Sequence, residues 1–334
     1  MIPGLIDAHL HWEWTSLGMK NVRCETDTLD ELLHRVEERV RITPPDRWIR
    51  GHGWNQNIWG GKFPTKDDLD RVAPNQPVYL TAKSGHAGWA NSFALKLANV
   101  TATTPDPEHG EIMRDDRGEP TGVFFEDAME LISQKIPQVS VSELAAAMRD
   151  AIPHTHRVGL TSVHDFDGAR ALQAWQILKE NEQLNLRVSK TIPVYLLDHA
   201  IALGLRSGFG DSWLRINSVK AFADGALGPR TALMIDPYEG EPENRGITVT
   251  DKEEMFENVR KASRAGLSST IHAIGDKANH DVIDVYAAIR QDEAARGDSR
   301  LRHRIEHVQL LHPDDFNRLA QFNIIASMQP IHAT

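Results

Sequence analysis

The chain has 334 residues, 40% of them apolar and 25% charged, which is enough for a large core and ordinary for a globular protein. Its formal charge of −10 argues against nucleic acid or an anionic membrane as a partner. No run of about 18 apolar residues occurs, and Cys24 is the only cysteine, so no intrachain disulfide is possible and a cytoplasmic, non-membrane protein is expected.

The first segment, Pro3-Gly4-Leu5-Ile6-Asp7-Ala8-His9-Leu10-His11, reads as a buried strand that ends in two histidines. Side chains alternate along a strand, so His9 and His11 share a side with Cα atoms roughly 7 Å apart, and their imidazoles can converge on one metal ion. A core strand that starts at residue 2 needs neighbours, which suggests a sequence cut from something longer. Thr28 and Glu31 make a capping box, followed by Leu29, Leu32, Leu33, Val36 and Val40 at helical spacing.

The stretch 44–137 breaks the rhythm with Pro44-Pro45, Gly51, Gly53, Gly60-Gly61, Pro74 and Pro77. It reads as an α+β insertion after the first strand, within a barrel domain that spans 1–334. Trp12, Trp14, Trp48, Trp54, Trp59 and Trp89 fall near it. They either line a pocket for an apolar group or form the insertion's own core.

Beyond it, strands and helices alternate. Ser140 and Glu143 open a helix toward Gly159, with Pro153 as a kink or break. Thr250 with Glu253 opens another that Gly266 ends, and Pro313 starts a third. Strands are expected at 159–165, 186–195, 214–224, 268–275, 302–309 and 323–329. With the first strand they make seven, and the alternation argues for an α/β fold with a parallel sheet.

In a parallel barrel the C-terminal strand ends face one mouth. His9, His11, Lys220, His272 and His307 all lie at such ends, and imidazole is a common ligand of zinc and similar ions. Lys220 shares a strand face with Ile216, Ser218 and Phe222. It is either paired with an acid such as Asp224, or desolvated, with a lowered pKa and an amine that reacts with carbon dioxide to give a bridging carbamate.

The segments Gly4-Leu-Ile-Asp-Ala-His-Leu-His11, Gly53-Trp-Asn-Gln56, Ser84-Gly-His-Ala-Gly-Trp-Ala-Asn91, Gly118-Glu-Pro-Thr-Gly122, Val219-Lys-Ala-Phe-Ala-Asp-Gly225, His272-Ala-Ile-Gly-Asp276 and Arg304-Ile-Glu-His307 resemble, in order, the amidohydrolase superfamily. Within it they are similar to amidohydrolase family 3, the group that includes N-substituted formamide deformylases. The resemblance implies a metal-dependent hydrolase of non-peptide carbon–nitrogen bonds on a distorted TIM barrel. It implies one or two divalent ions, zinc first, held by His9, His11, a carbamylated Lys220, His272 and His307, with Lys220, His272 and His307 in the catalytic set. His86 matches a substrate-side histidine of the family, its alternative being a loop histidine in a Gly-rich turn. Trp54, Arg230 and Asp276 are further candidates for contact with a small-molecule substrate.

The family pattern continues to an eighth strand whose aspartate binds metal and carries the proton. This sequence stops before it, so the barrel is expected to lack that strand and to read as truncated at both ends, with Asp165, Asp224 or Glu126 as possible substitutes for the base. Bare sheet edges make a homo-oligomer possible. Alternative readings are a superfamily isomerase, deaminase or decarboxylase, and a catalytically impaired fragment that only binds metal or ligand.

Overall fold

The computed structural model describes residues 2–297 and 301–333. The chain forms two compact units, Met1–Ser16 with Val141–Thr334, and Leu17–Ser140. It opens with β1 (Leu5–Leu10) of the first unit, followed by the helix Trp12–Gly18.

The second unit then runs through β2 (Val22–Arg23), β3 (Ile49–Trp54), β4 (Val78–Ala82), β5 (Ala87–Ala90), β6 (Gly110–Arg114) and β7 (Pro120–Glu126). They form one sheet in the order β2-β3-β4-β5-β7-β6, parallel from β2 to β4 and antiparallel beyond. The helix Leu29–Ile42 is capped as expected, Thr28 Oγ1 accepting from the Glu31 amide at 3.2 Å. Its buried Leu32, Leu33 and Val36 pack with Ile49, Trp54, Leu80 and Trp89. The unit Leu17–Ser140 therefore takes in this helix together with the stretch 44–137. The helix has its apolar face in this core and belongs to it. Trp54 and Trp89 meet edge to face at 6.3 Å, Trp59 packs on the same cluster, and Trp48 packs on a second one around Phe124 and Ile112. These four tryptophans build the unit's own core.

From the helix Val141–Arg157 the chain returns to the first unit; Pro153 sits inside that helix without ending it. Then come β8 (Leu160–Asp165), β9 (Arg187–Pro193), β10 (Leu214–Phe222), β11 (Ser268–Ala273), β12 (Arg304–His307) and β13 (Ile325–Ser327). The sheet order is β1-β8-β9-β10-β11-β12-β13, every pairing parallel. These are the seven expected strands, and they make a nearly closed parallel barrel of distorted TIM type.

Strand alternation sorts the two sheet faces. Ile271, Ala273 and Ile305 pack against Val282, Ile283, Tyr286 and Ile289 of the helix Asp276–Ala295. The alternate residues Ser218, Lys220, Thr270, Arg304 and Glu306 turn to the other face and are buried there. Ser218 and Thr270 hydroxyls hydrogen-bond at 2.6 Å across β10 and β11. Arg304 spans between the sheet's ends, Nη2 donating to the Ala8 carbonyl on β1 at 2.9 Å and to Ser327 Oγ on β13 at 2.7 Å.

Candidate metal centre

The five side chains that sequence places at strand ends lie in one unit, and the four imidazoles form a contiguous run. Ring centroids are 5.5 Å apart for His9 and His11, 4.7 Å for His9 and His307, and 4.7 Å for His272 and His307. His307 joins the run because its backbone leaves the pleat. By alternation it would face away from Glu306, but its φ of +79°, followed by +46° at Val308, swings the ring back. Two successive left-handed non-glycine residues are strained, and such strain concentrates at functional sites.

Each imidazole has one nitrogen committed to an acceptor. His9 Nδ1 bonds Glu306 Oε2 at 2.7 Å, His11 Nδ1 bonds Asp167 Oδ1 at 3.1 Å, His307 Nδ1 bonds Gln329 Oε1 at 2.7 Å, and His272 Nε2 bonds the Gly225 carbonyl at 2.8 Å. An acceptor fixes the proton on that nitrogen, so Nε2 of His9, His11 and His307 and Nδ1 of His272 carry lone pairs in the neutral rings. Burial, reinforced by Lys220, lowers the His272 pKa to about 3; burial also brings His307 to about 4 and lowers His9, against the opposing pull of Glu306. Neutral imidazoles with one nitrogen anchored are the form in which histidine binds metal.

Lys220 is buried, and among the described residues its Nζ has no hydrogen-bond partner. It lies 4.4 Å from the Phe222 ring centroid and 5.4 Å from that of Phe166. Burial pushes its pKa down to about 7, with Glu306 opposing and Arg304 assisting. The pairing with Asp224 is not made. Asp224 instead accepts the amides of Leu233, Ile274 and Gly275. An orphaned buried amine beside lone-pair imidazoles is a donor set that fits a divalent cation. Among the described residues, no group of three His, Cys, Asp or Glu side chains is set as a ready-made cage, since the rings meet edge to face or tilted.

The other candidates stand elsewhere. Trp54 is fully buried and donates its Nε1–H to the Leu80 carbonyl at 3.0 Å, so it packs and presents no face to a ligand. Arg230, at φ +57°, pairs with Glu241 on an exposed loop. Asp276 Oδ1 accepts from the Ile235 amide at 2.8 Å. His86 is exposed in the second unit, with Nδ1 3.0 Å from Glu126. Of the expected substitute bases, Asp165 and Asp224 are occupied by hydrogen bonds from Trp175 and Asp167, and from three amides, respectively.

Sequence reading missed the residues that hold the histidines. Glu306 is fully buried; its carboxylate also lies 2.5 Å from Arg304 Nε, a close ion pair not aligned as a hydrogen bond. Burial opposes ionisation of Glu306, but His9 and Arg304 outweigh it and bring its pKa to about 2. Arg304 also donates Nη1–H to His164 Nδ1 at 2.7 Å. The sequence signal for these was present, since Arg304 and Glu306 alternate on one strand face and Asp167 follows a strand end.

The amidohydrolase family model matches residues 1–334. Protein LONG AFTER FAR-RED 3 of Arabidopsis thaliana is 37% identical over 99% of this chain, and the N-substituted formamide deformylase of Arthrobacter pascens is 32% identical over 97%. The chain spans 59% and 61% of those two proteins. The crystal structure of an uncharacterized metal-dependent hydrolase from Pyrococcus furiosus matches 98% of this chain and 64% of its own, with 30% identity and a TM-score of 0.79. With its whole length matched, and a barrel shared with a metal-dependent hydrolase, the chain belongs to the amidohydrolase family.

Proposed function

We propose that this chain carries the catalytic centre of a hydrolase that cleaves carbon–nitrogen bonds in small non-peptide amides, N-substituted formamides first. The observation that carries the reading is the run of four one-side-anchored imidazoles beside the buried amine of Lys220, with His9, His272 and His307 held neutral by burial. His9, His11, Lys220, His272 and His307 would hold one or two divalent ions, zinc by preference for nitrogen-rich sites. When bound, such an ion supplies Lewis-acid polarisation of a carbonyl and lowers the pKa of water.

The chain's own residues do the rest. Glu306, Asp167, Gln329 and the Gly225 carbonyl hold protons on named ring nitrogens and keep the lone pairs aimed. Phe166 and Phe222 keep Lys220 dry. A neutral Lys220 amine adds to carbon dioxide, forming an N–C bond and releasing one proton, which leaves a carbamate in place of the amine. Within residues 17–140, His86 is the side chain proposed to contact substrate, steadied by Glu126.

The test is metal analysis of the purified chain, then formate release from a panel of N-substituted formamides with added Zn²⁺. Turnover that is lost in His272→Ala and His307→Ala supports the reading. Stoichiometric metal with no turnover on amides or formamides overturns it in favour of a metal-binding fragment. Ammonia release from a ring amine instead identifies a deaminase.

A further inference from the structure

The four imidazoles are anchored by different means, and His9 and His11, at the end of β1, share contact with one short turn. Asp165, at the end of β8, is fully buried. Its Oδ1 accepts the Asp167 amide at 2.8 Å and its Oδ2 accepts Trp175 Nε1–H at 2.5 Å. This closes the turn Asp165-Phe166-Asp167 on itself. Phe166 then stacks on His9, with centroids 4.1 Å apart and planes 14° from parallel. Asp167 divides its carboxylate between His11 Nδ1 at 3.1 Å and the Glu13 amide at 2.5 Å. One turn therefore contacts both histidines.

Lys190 holds that turn. It pairs in register with Asp165 across β8 and β9, and its side chain is only 1% exposed. Its Nζ donates to the carbonyls of Asp165 at 3.3 Å, Thr191 at 3.1 Å and Asp167, and it lies 3.7 Å from Asp165 Oδ1. An ammonium has three donors, and three carbonyls use them. Burying it costs several kcal/mol, and a well-packed apolar side chain of similar volume often does as well or better for stability. What an apolar side chain cannot do is draw the carbonyls of residues 165 and 167 to one point.

We propose that Lys190 is a positioning residue, which, by gathering the carbonyls of the 165–167 turn, sets the place of His9 through Phe166 and the tautomer of His11 through Asp167. The proposal rests on the reading of His9 and His11 as cation ligands.

The experiment compares wild type, His11→Asn, Asp167→Asn and Lys190→Met by Zn²⁺ titration against a chromophoric chelator. Long-range ¹H–¹⁵N spectra of the metal-free proteins report the His11 tautomer. Expected is a loss of about 10–100-fold in Zn²⁺ affinity for both Asp167→Asn and Lys190→Met. The spectra should show His11 protonated at Nδ1 in wild type and a mixed tautomer in both variants. Wild-type affinity in either variant, or a weakened affinity with the His11 tautomer unmoved, overturns the proposal. A Lys190→Met protein that does not fold also overturns it, making Lys190 a folding determinant. If wild type and His11→Asn bind Zn²⁺ alike, the metal-ligand reading itself has failed, which the two sets of variants tell apart.

Discussion

Glu306 joins one of the candidate ligands to a buried cation. It holds His9 at 2.7 Å and sits against Arg304 with no exposed surface. Glu306→Gln removes the countercharge and leaves a buried guanidinium, so stability should fall by about 3–5 kcal/mol. Urea unfolding of the metal-free protein checks this, and an unchanged midpoint refutes it. Cys24 gives a prediction of the opposite kind. Burial pushes its thiol up to about 12 and the side chain is fully enclosed, so it should resist maleimide in the native protein and react on unfolding. At this scale the sequence was readable where chemistry restricts the residue type. Four histidines and one lysine at strand ends stood out. Glu306, Asp167 and Lys190 did not, because an acid or a lysine near a strand end serves many purposes and only the fold says which partner it meets. Trp54 misled for a related reason, since a tryptophan fills a core as readily as it lines a pocket.

The helix Asp276–Ala295 is tied to the strand region after it by a buried polar link. Glu293, only 1% exposed, accepts from Ser263 Oγ at 2.7 Å, His303 Nε2 at 2.8 Å and Arg290 Nη1 at 2.7 Å. Burial opposes its charge, but these three donors outweigh burial and bring its pKa to about 2. Burial also lowers the His303 pKa, so His303 is neutral at pH 7, its Nδ1 accepting the Ser269 amide at 3.0 Å. Both shifts act with one sign. A depressed carboxylate stabilises the fold above its ordinary pKa near 4.5, and that stability is lost as pH falls toward 2. A histidine that resists protonation costs stability as pH falls below 6.5. Glu293→Gln should remove on the order of 3 kcal/mol at pH 7 and flatten the acid limb below pH 4.5. Unfolding measured from pH 7 to 2.5 checks it, and parallel curves for the two proteins contradict it. Elements of this kind were legible from caps and periodicity. Thr28 marked a helix start correctly, yet its cap carried no information about which core the helix would join.

For the molecule as a whole, alternation of strand and helix sufficed to predict seven parallel strands, because several helices announced themselves by caps and the segments between them read as strands. The limits of the 17–140 unit were not legible, since they depend on where an apolar helix face is buried. The sheet has two ends, and β1 presents Leu5 at 58% and Ile6 at 60% exposure. Apolar edge strands invite pairing with another chain. Ile6→Lys should therefore reduce concentration-dependent association in sedimentation experiments, while equal association in both proteins would point to another surface. The same strand holds His9, with His11 just past its end, whereas His272 and His307 lie on β11 and β12, near the other end of the sheet order. A bead shared between these groups would act as a rivet across a seam, coupling occupancy to the cohesion of the wall. Amide protons of β1 should then exchange fast in chelator and slowly after zinc is restored, so that the protein's fraying tells how full its centre is.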